Sequence, residues 1–264
     1  MTIRGVKITT TGDPALPALV LVHGWGHHSG VWGTLMPELE RHFYLHLVDL
    51  PGYGGDDTSR SESTEADWQW DALLSAFLTL PPAIWCGWSL GGMLATRFAH
   101  VAPAQVKGLV TIASNPVFVE KAGWPMAMPC LEYAQFSAAL NNNAKITLSR
   151  FLPLLCQGSE SARADLRRLK IVITGAAHPS QASLQLSLNL LNTLDTRRDI
   201  STLRLPQCHL LGEHDALVPA SVADAIGNLN AAAEVRIIAG AGHAPLLSHP
   251  QAVMDTLLAM VARL

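Results

Sequence analysis

Ser89, Asp215 and His243 have the residue types and the chain order that nucleophilic acyl chemistry requires. A serine hydroxyl is a poor nucleophile until a base takes its proton during attack. Ser89 lies in Gly87-Trp88-Ser89-Leu90-Gly91, with a further Gly92, after the short apolar run Ala83-Ile84-Trp85-Cys86 and before a stretch of helical apolar spacing. That context predicts a sharp strand-to-helix turn, which strains the serine backbone and pushes the hydroxyl clear of the sheet. The candidate base is His243, in the glycine-rich loop Ala239-Gly240-Ala241-Gly242-His243-Ala244-Pro245 after the last predicted strand. Of 11 histidines it is singled out by that loop and by its place after Asp215. Asp215, in Gly212-Glu213-His214-Asp215-Ala216-Leu217-Val218-Pro219, is preferred to Glu213 and Asp224 by its distance into the loop. Its carboxylate would hold the imidazole tautomer and stabilise the imidazolium. The order Ser, Asp, His is the one a serine elbow of this kind uses.

A tetrahedral intermediate needs two donors at its developing oxyanion. One is expected from the backbone N–H of Leu90. The other is expected from the backbone N–H of Trp25 in His23-Gly24-Trp25-Gly26, where glycines let the backbone approach a substrate. The Trp25 ring is also a candidate wall for an acyl pocket. His23, His27 and His28 have no carboxylate or cysteine spaced with them for a metal, and His23 reads as loop scaffolding. Gly52-Tyr53-Gly54-Gly55 is followed by no helix pattern and so is no dinucleotide fingerprint, and Gly91-Gly92 lacks the Lys-Ser/Thr of a phosphate loop. Trp68 and Trp70 read as packing or surface residues. No metal and no cofactor are expected.

The chain has 264 residues, 49% hydrophobic and 15% charged, enough apolar material for one large core with an insertion. Mean hydropathy is +0.23 and the isoelectric point is near 6.4. A net charge of −3 gives no case for nucleic acid or membrane binding. The first residues lack the apolar core of a signal peptide and no apolar run reaches membrane-spanning length, so a cytoplasmic protein is expected; a monomer is expected as well. The four cysteines, Cys86, Cys130, Cys156 and Cys208, form no CxxC pair and read as reduced thiols, Cys86 as core.

Stretches read as buried strands alternate with helical ones. Strands are expected at Arg4–Thr11, Ala18–Val22, Leu45–Leu50, Ile84–Gly87, Gly108–Ala113, Gln207–Gly212 and Val235–Ala239. Helices are expected at Val31–Arg41, Thr64–Leu80 with Thr64 as N-cap, Leu90–Val101, Ala220–Leu229 and Pro250–Arg263. This alternation predicts an α/β fold, a mostly parallel twisted sheet flanked by helices. The rhythm breaks from Ser114 to about Leu190, which reads as an α-helical lid inserted between the two parts of the core, 1–113 and 191–264. Open α/β sheets carry their sites at the strand ends such a lid would cover. The lid holds seven basic residues (Lys121, Lys145, Arg150, Arg163, Arg167, Arg168, Lys170) against four acidic ones (Glu120, Glu132, Glu160, Asp165), a net +3 that leaves −6 for the rest. Arg163, Arg167 and Lys170 share a helical face, which favours an anionic partner over a merely solvated surface. Phe151-Leu152-Pro153-Leu154-Leu155, beside Arg150, suits either core packing or an acyl-chain wall.

These motifs resemble the α/β-hydrolase superfamily and, more closely, the pimeloyl-[acyl-carrier protein] methyl ester esterases of biotin synthesis. The likeness runs through His23-Gly24-Trp25-Gly26, Leu45-His46-Leu47-Val48-Asp49-Leu50-Pro51-Gly52, Ile84 to Gly92, Arg150-Phe151-Leu152, Ser161-Ala162-Arg163 and Ala241-Gly242-His243-Ala244-Pro245 with Ser248-His249-Pro250. It implies an α/β-hydrolase fold and a cofactor-free serine carboxylesterase that frees methanol from the methyl ester of pimeloyl-acyl-carrier protein. It implies substrate contacts from Trp25, Ser89, Leu90, Phe151, Leu152, Pro153, Leu154, Leu155 and His243. It also implies docking of the acidic carrier protein on Arg150, Arg163 and Arg167. Ile146 stands where a further basic residue is expected, with Lys145 beside it. Leu155 is apolar where a polar residue is frequent, and Gly55-Asp56-Asp57 replaces an Arg-Ser pair. A short-acyl carboxylesterase or a C–C bond hydrolase would use the same triad, and a non-catalytic binding protein could keep the fold. Dehalogenases and epoxide hydrolases need aspartate where Ser89 stands.

Overall fold

A computed structural model describes residues 1–55, 63–175 and 179–264. Asp56 and Asp57 lie outside the described residues. Eight strands form one sheet: β1 (Thr2–Ile3), β2 (Val6–Thr11), β3 (Ala18–Val22), β4 (Tyr44–Asp49), β5 (Ala83–Trp88), β6 (Val106–Ile112), β7 (Gln207–Gly212) and β8 (Glu234–Ile238). Their order is β1-β2-β4-β3-β5-β6-β7-β8. The β1/β2 and β2/β4 pairs are antiparallel, and every pairing from β4 to β8 is parallel. The expected strand 4–11 is in fact a hairpin, because Arg4 and Gly5 turn with positive φ (49° and 76°).

Helices cover the sheet: α1 (Met36–His42), α2 (Trp70–Phe77), α3 (Leu90–Val101), α4 (Cys130–Asn142), α5 (Ala144–Cys156), α6 (Ala162–Thr174), α7 (Gln181–Thr193), α8 (Arg197–Thr202), α9 (Val222–Leu229), α10 (Pro245–Ser248) and α11 (Pro250–Val261). Strands β3, β5 and β7 are buried along nearly their whole length, as strands covered on both faces should be. The expected helix 64–80 divides. A 3₁₀ turn spans Glu65–Trp68, with Asp67 accepting hydrogen bonds from the Thr64 backbone N–H and hydroxyl. Gln69 is extended (ψ 143°), and α2 then starts at Trp70. The break lets Trp68 bury while Trp70 stays half-exposed.

Helices α4–α7 all fall between β6 and β7, so the helical part of the expected 114–190 insertion runs from Cys130 to Thr193. The preceding stretch packs differently. Val117 and Trp124 bury with Ile200, Leu211, Val218, Val222 and Ile226 against the core. The Trp124 indole N–H donates to Asn115 Oδ1 at 2.8 Å.

Candidate active site

β5 delivers Ser89 and α3 begins immediately after it. Ser89 sits at φ 53°, ψ −116°, a region that costs a side-chain-bearing residue of the order of 1–3 kcal/mol. The strain is held by bonds on both sides. Ser89 N–H donates to Ile112 O at 2.8 Å, and Ser89 O accepts from Gly92 N–H and the Ser114 hydroxyl, each at 2.9 Å. A side chain on Gly87 would collide with Gly91 O, and one on Gly91 with Val22 O. Glycine at both positions is what lets strand, turn and helix close on one another.

The three candidate triad residues converge. His243 Nε2 lies 3.0 Å from Ser89 Oγ, and His243 Nδ1 lies 2.7 Å from Asp215 Oδ2. Asp215 Oδ1 accepts from the backbone N–H groups of Leu217 (2.8 Å) and Val218 (3.0 Å), so the carboxylate is held at both oxygens. Glu213 instead accepts from Gly240 N–H at 2.9 Å, with its side chain 47% exposed, and Asp224 lies on the exposed face of α9. The His243 and Asp215 side chains are almost completely buried. With Asp215 accepting from Nδ1–H, Nε2 is left with its lone pair toward the Ser89 hydroxyl, which is the arrangement a general base needs. Among the described residues, neither the Leu90 nor the Trp25 backbone N–H has an acceptor, so both are available to an oxyanion.

The neighbouring histidines serve the backbone. His23 Nε2 accepts from Leu50 N–H (3.0 Å) while Nδ1–H donates to Gly24 O (2.8 Å). Burial lowers the His23 pKa to about 4 and that of His27 to about 3, so both are neutral. His27 Nδ1–H donates to Trp25 O at 2.9 Å, and His28 bridges Gly30 N–H and Val172 O. Cys86 is buried in β5, and burial raises its thiol pKa out of the reactive range.

A cavity of about 500 Å³, counting its open mouth, leads from Ser89 and His243 toward α4, α5 and α7. Trp25, Trp88, Phe151, Leu154 and Leu155 form its wall with Gly24, Phe118, Met128, Phe136, Leu188, Leu191 and Leu217. The Trp25 ring meets Phe151 edge-on at 5.1 Å and Phe136 at 5.4 Å, and its N–H donates to Leu184 O of α7 at 3.0 Å. Leu152 and Pro153 are not on this wall. Positions 151, 154 and 155 share one face of α5, whereas 152 points into the core and Pro153 is exposed. The wall residues the sequence reading missed come from α4, α7 and the 117–128 stretch, with Gly24, Trp88 and Leu217 from the core. Leu188 and Leu191 stand three apart on α7 and were detectable on that ground; Phe118 and Met128 are brought in by an isolated bridge between Val119 and Met128, which has no sequence signature.

Arg150 is exposed on α5, and Arg163 and Arg167 are exposed one turn apart on α6. No ion pair engages these three among the described residues. Arg168 differs: it pairs with the buried Asp165 at 3.2 Å and donates to Leu247 O at 3.1 Å, tying α6 to the core. Ile146 is 47% exposed on α5. No described helix is long and apolar enough to cross a membrane.

Comparison with known proteins agrees with this geometry. A family model described as "Alpha/beta hydrolase family" matches residues 19–256. The chain is 42% identical over 246 residues to a pimeloyl-[acyl-carrier protein] methyl ester esterase of Xanthomonas axonopodis pv. citri, covering 93% of this chain and 95% of the relative. A protein of the same name from Klebsiella pneumoniae subsp. pneumoniae is 41% identical, with 93% and 94% covered. Among solved structures, an esterase from Exiguobacterium antarcticum superposes with a TM-score of 0.84 at 18% identity over 99% of this chain and 100% of that one. A bromoperoxidase from Bacillus anthracis reaches 0.79 at 18% identity over 97% and 95%, so the structural likeness speaks to the fold alone. From the match across most of its length and relatives above 40% identity, this chain belongs to the alpha/beta hydrolase family, in its pimeloyl-[acyl-carrier protein] methyl ester esterase branch, and is a carboxylic ester hydrolase.

Proposed function

We propose that this protein hydrolyses the methyl ester of pimeloyl-[acyl-carrier protein], with Ser89 as nucleophile, His243 as general base and acid, and Asp215 as the group that orients the imidazole. The observation that carries the reading is the hydrogen-bonded line from Asp215 through His243 to Ser89 at the floor of an apolar cavity. The substrate follows from the names of the relatives. In the first half-reaction Ser89 Oγ attacks the ester carbonyl carbon while its proton passes to His243 Nε2. The Trp25 and Leu90 amides receive the oxyanion. The C–OCH₃ bond then breaks, and His243 returns the proton so that methanol leaves. Water, giving a proton to the same nitrogen, attacks the acyl-enzyme and frees the acid with Ser89 restored.

On this reading the segment 114–190 is the lid, the acyl chain lies along Phe151, Leu154 and Leu155, and the acidic carrier protein docks on Arg150, Arg163 and Arg167. An apolar wall near Ser89 and exposed arginines on the outer lid suit a substrate with an apolar chain and an anionic carrier. The test is methanol release from carrier-bound pimeloyl methyl ester by the purified protein. Ser89→Ala is expected to lower kcat by about six orders of magnitude, as when a triad acts as a unit. A Ser89→Ala variant that kept most of the activity would overturn the mechanism.

A further inference from the structure

Trp88, the residue before the nucleophile, bridges three of the segments that the proposed reaction uses. It ends β5 and is 1% exposed. Its indole N–H donates to the backbone carbonyl of His243 at 2.8 Å, and that carbonyl has no other hydrogen-bond donor among the described residues. Its ring lies 5.9 Å from the His243 ring, tilted by 48°. On the other side the ring packs flush on Gly24, where a side-chain carbon would come within 3.0 Å of Trp88 Cε3. The edge of His27 closes on it at 4.9 Å, and the same His27 bonds the carbonyl of Trp25. One rigid indole therefore spans the elbow, the loop that offers the Trp25 amide and the loop that carries the imidazole.

The His243 loop needs such a tether. Asp215 fixes the far side of the imidazole, but the ring's reach toward Ser89 also depends on where the loop backbone sits. His214 N–H holds Ala241 O at 2.9 Å, two residues upstream, and α10 begins two residues downstream. Between those anchors, Trp88 is the one donor to the His243 carbonyl among the described residues.

We propose that Trp88 is a positioning residue: its indole N–H holds the His243 backbone so that Nε2 points along the line to Ser89 Oγ. The inference rests on the reading of Ser89 and His243 given above. An error of about 1 Å in a reacting group can cost roughly a hundredfold in rate. The clean perturbation keeps the indole's shape and removes only the donor, since Trp88 also walls the cavity. Site-specific replacement of Trp88 by benzothienylalanine does this, with sulfur in place of N–H. Replacement by 7-azatryptophan retains the N–H as a control.

The expected result for the benzothienyl protein is a kcat about 10- to 100-fold lower with KM within about twofold of the parent. Its thermal midpoint should fall by a few degrees at most, the cost of one unpaired buried carbonyl, so the protein stays folded at the assay temperature, and the azatryptophan protein should keep the parental kcat. A residue that merely filled space would give two indistinguishable isosteres. Parental kcat in the benzothienyl protein, a rise in KM matching the fall in rate, or equal losses in both isosteres would each overturn the proposal. Ser89→Ala measured alongside separates the two levels. If Ser89→Ala stays active, the nucleophile assignment itself fails. If it is inactive and the benzothienyl protein is fully active, only the role of Trp88 falls.

Discussion

Asp215 uses its two oxygens differently. One faces the imidazole, and the other takes two backbone N–H groups that keep the carboxylate from rotating away. Asp215→Asn would preserve the shape but place an amide N–H or a carbonyl where a carboxylate stood, favouring the wrong imidazole tautomer. Its kcat for ester hydrolysis is expected to fall by about 10⁴ with KM little changed; a loss under tenfold in steady-state assays would show that another carboxylate orients His243. That Ser89, Asp215 and His243 meet was legible in the sequence because each sits at a loop position with its own signature: an elbow, a strand-end acid and a late glycine-rich loop. Trp88's bond to His243 was not legible. Its acceptor is a main-chain carbonyl, which every residue has, so no side-chain pattern marks it. His23, by contrast, reads correctly as scaffolding, and its two backbone bonds show why the loop needs it.

At the scale of elements, the limits of Ala18–Val22, Leu90–Val101 and Gln207–Gly212 agree between sequence and structure. Continuous apolar runs, and a helix set between the Ser89 turn and Pro103, leave little freedom there. The 64–80 stretch does not agree, because burying Trp68 outweighs one unbroken helix. On α5 the residue types alone grouped Phe151 to Leu155, and only helical phase separates wall from surface. The same phase puts Arg163 and Arg167 side by side on the outside of α6, away from the cavity. Arg163→Glu combined with Arg167→Glu is therefore expected to raise KM for carrier-bound ester at least about tenfold, since reversing two charges opposes an anionic partner. Turnover of p-nitrophenyl acetate by the same protein should be unaffected. Equal damage to both substrates would count against docking at α6.

At the scale of the whole molecule, buried neutral histidines make stability depend on pH. Burial lowers His209 from 6.5 to about 4, and it bonds Thr111 and Gln207 inside the sheet; His23 and His27 are lowered likewise. The folded chain refuses protons that the unfolded chain accepts below about pH 6.5. Their contribution is thus intact above that pH and is lost as pH falls toward about 4, at about 1.4 kcal/mol per unit for each histidine. His209→Gln is expected to shrink the difference between urea unfolding free energies at pH 7 and pH 5 by about 2 kcal/mol. An unchanged difference would mean that His209 takes up its proton in the fold.

The placement of α4–α7 between β6 and β7 has an evolutionary consequence. The stretch that carries the exposed arginines and half of the cavity wall is a single uninterrupted run of codons, bracketed by β6, which accepts a bond from Ser89, and β7, which leads to Asp215. Recombination at two points could exchange that run without disturbing the bond-breaking residues. A lineage could thus acquire new clients while inheriting its chemistry unaltered.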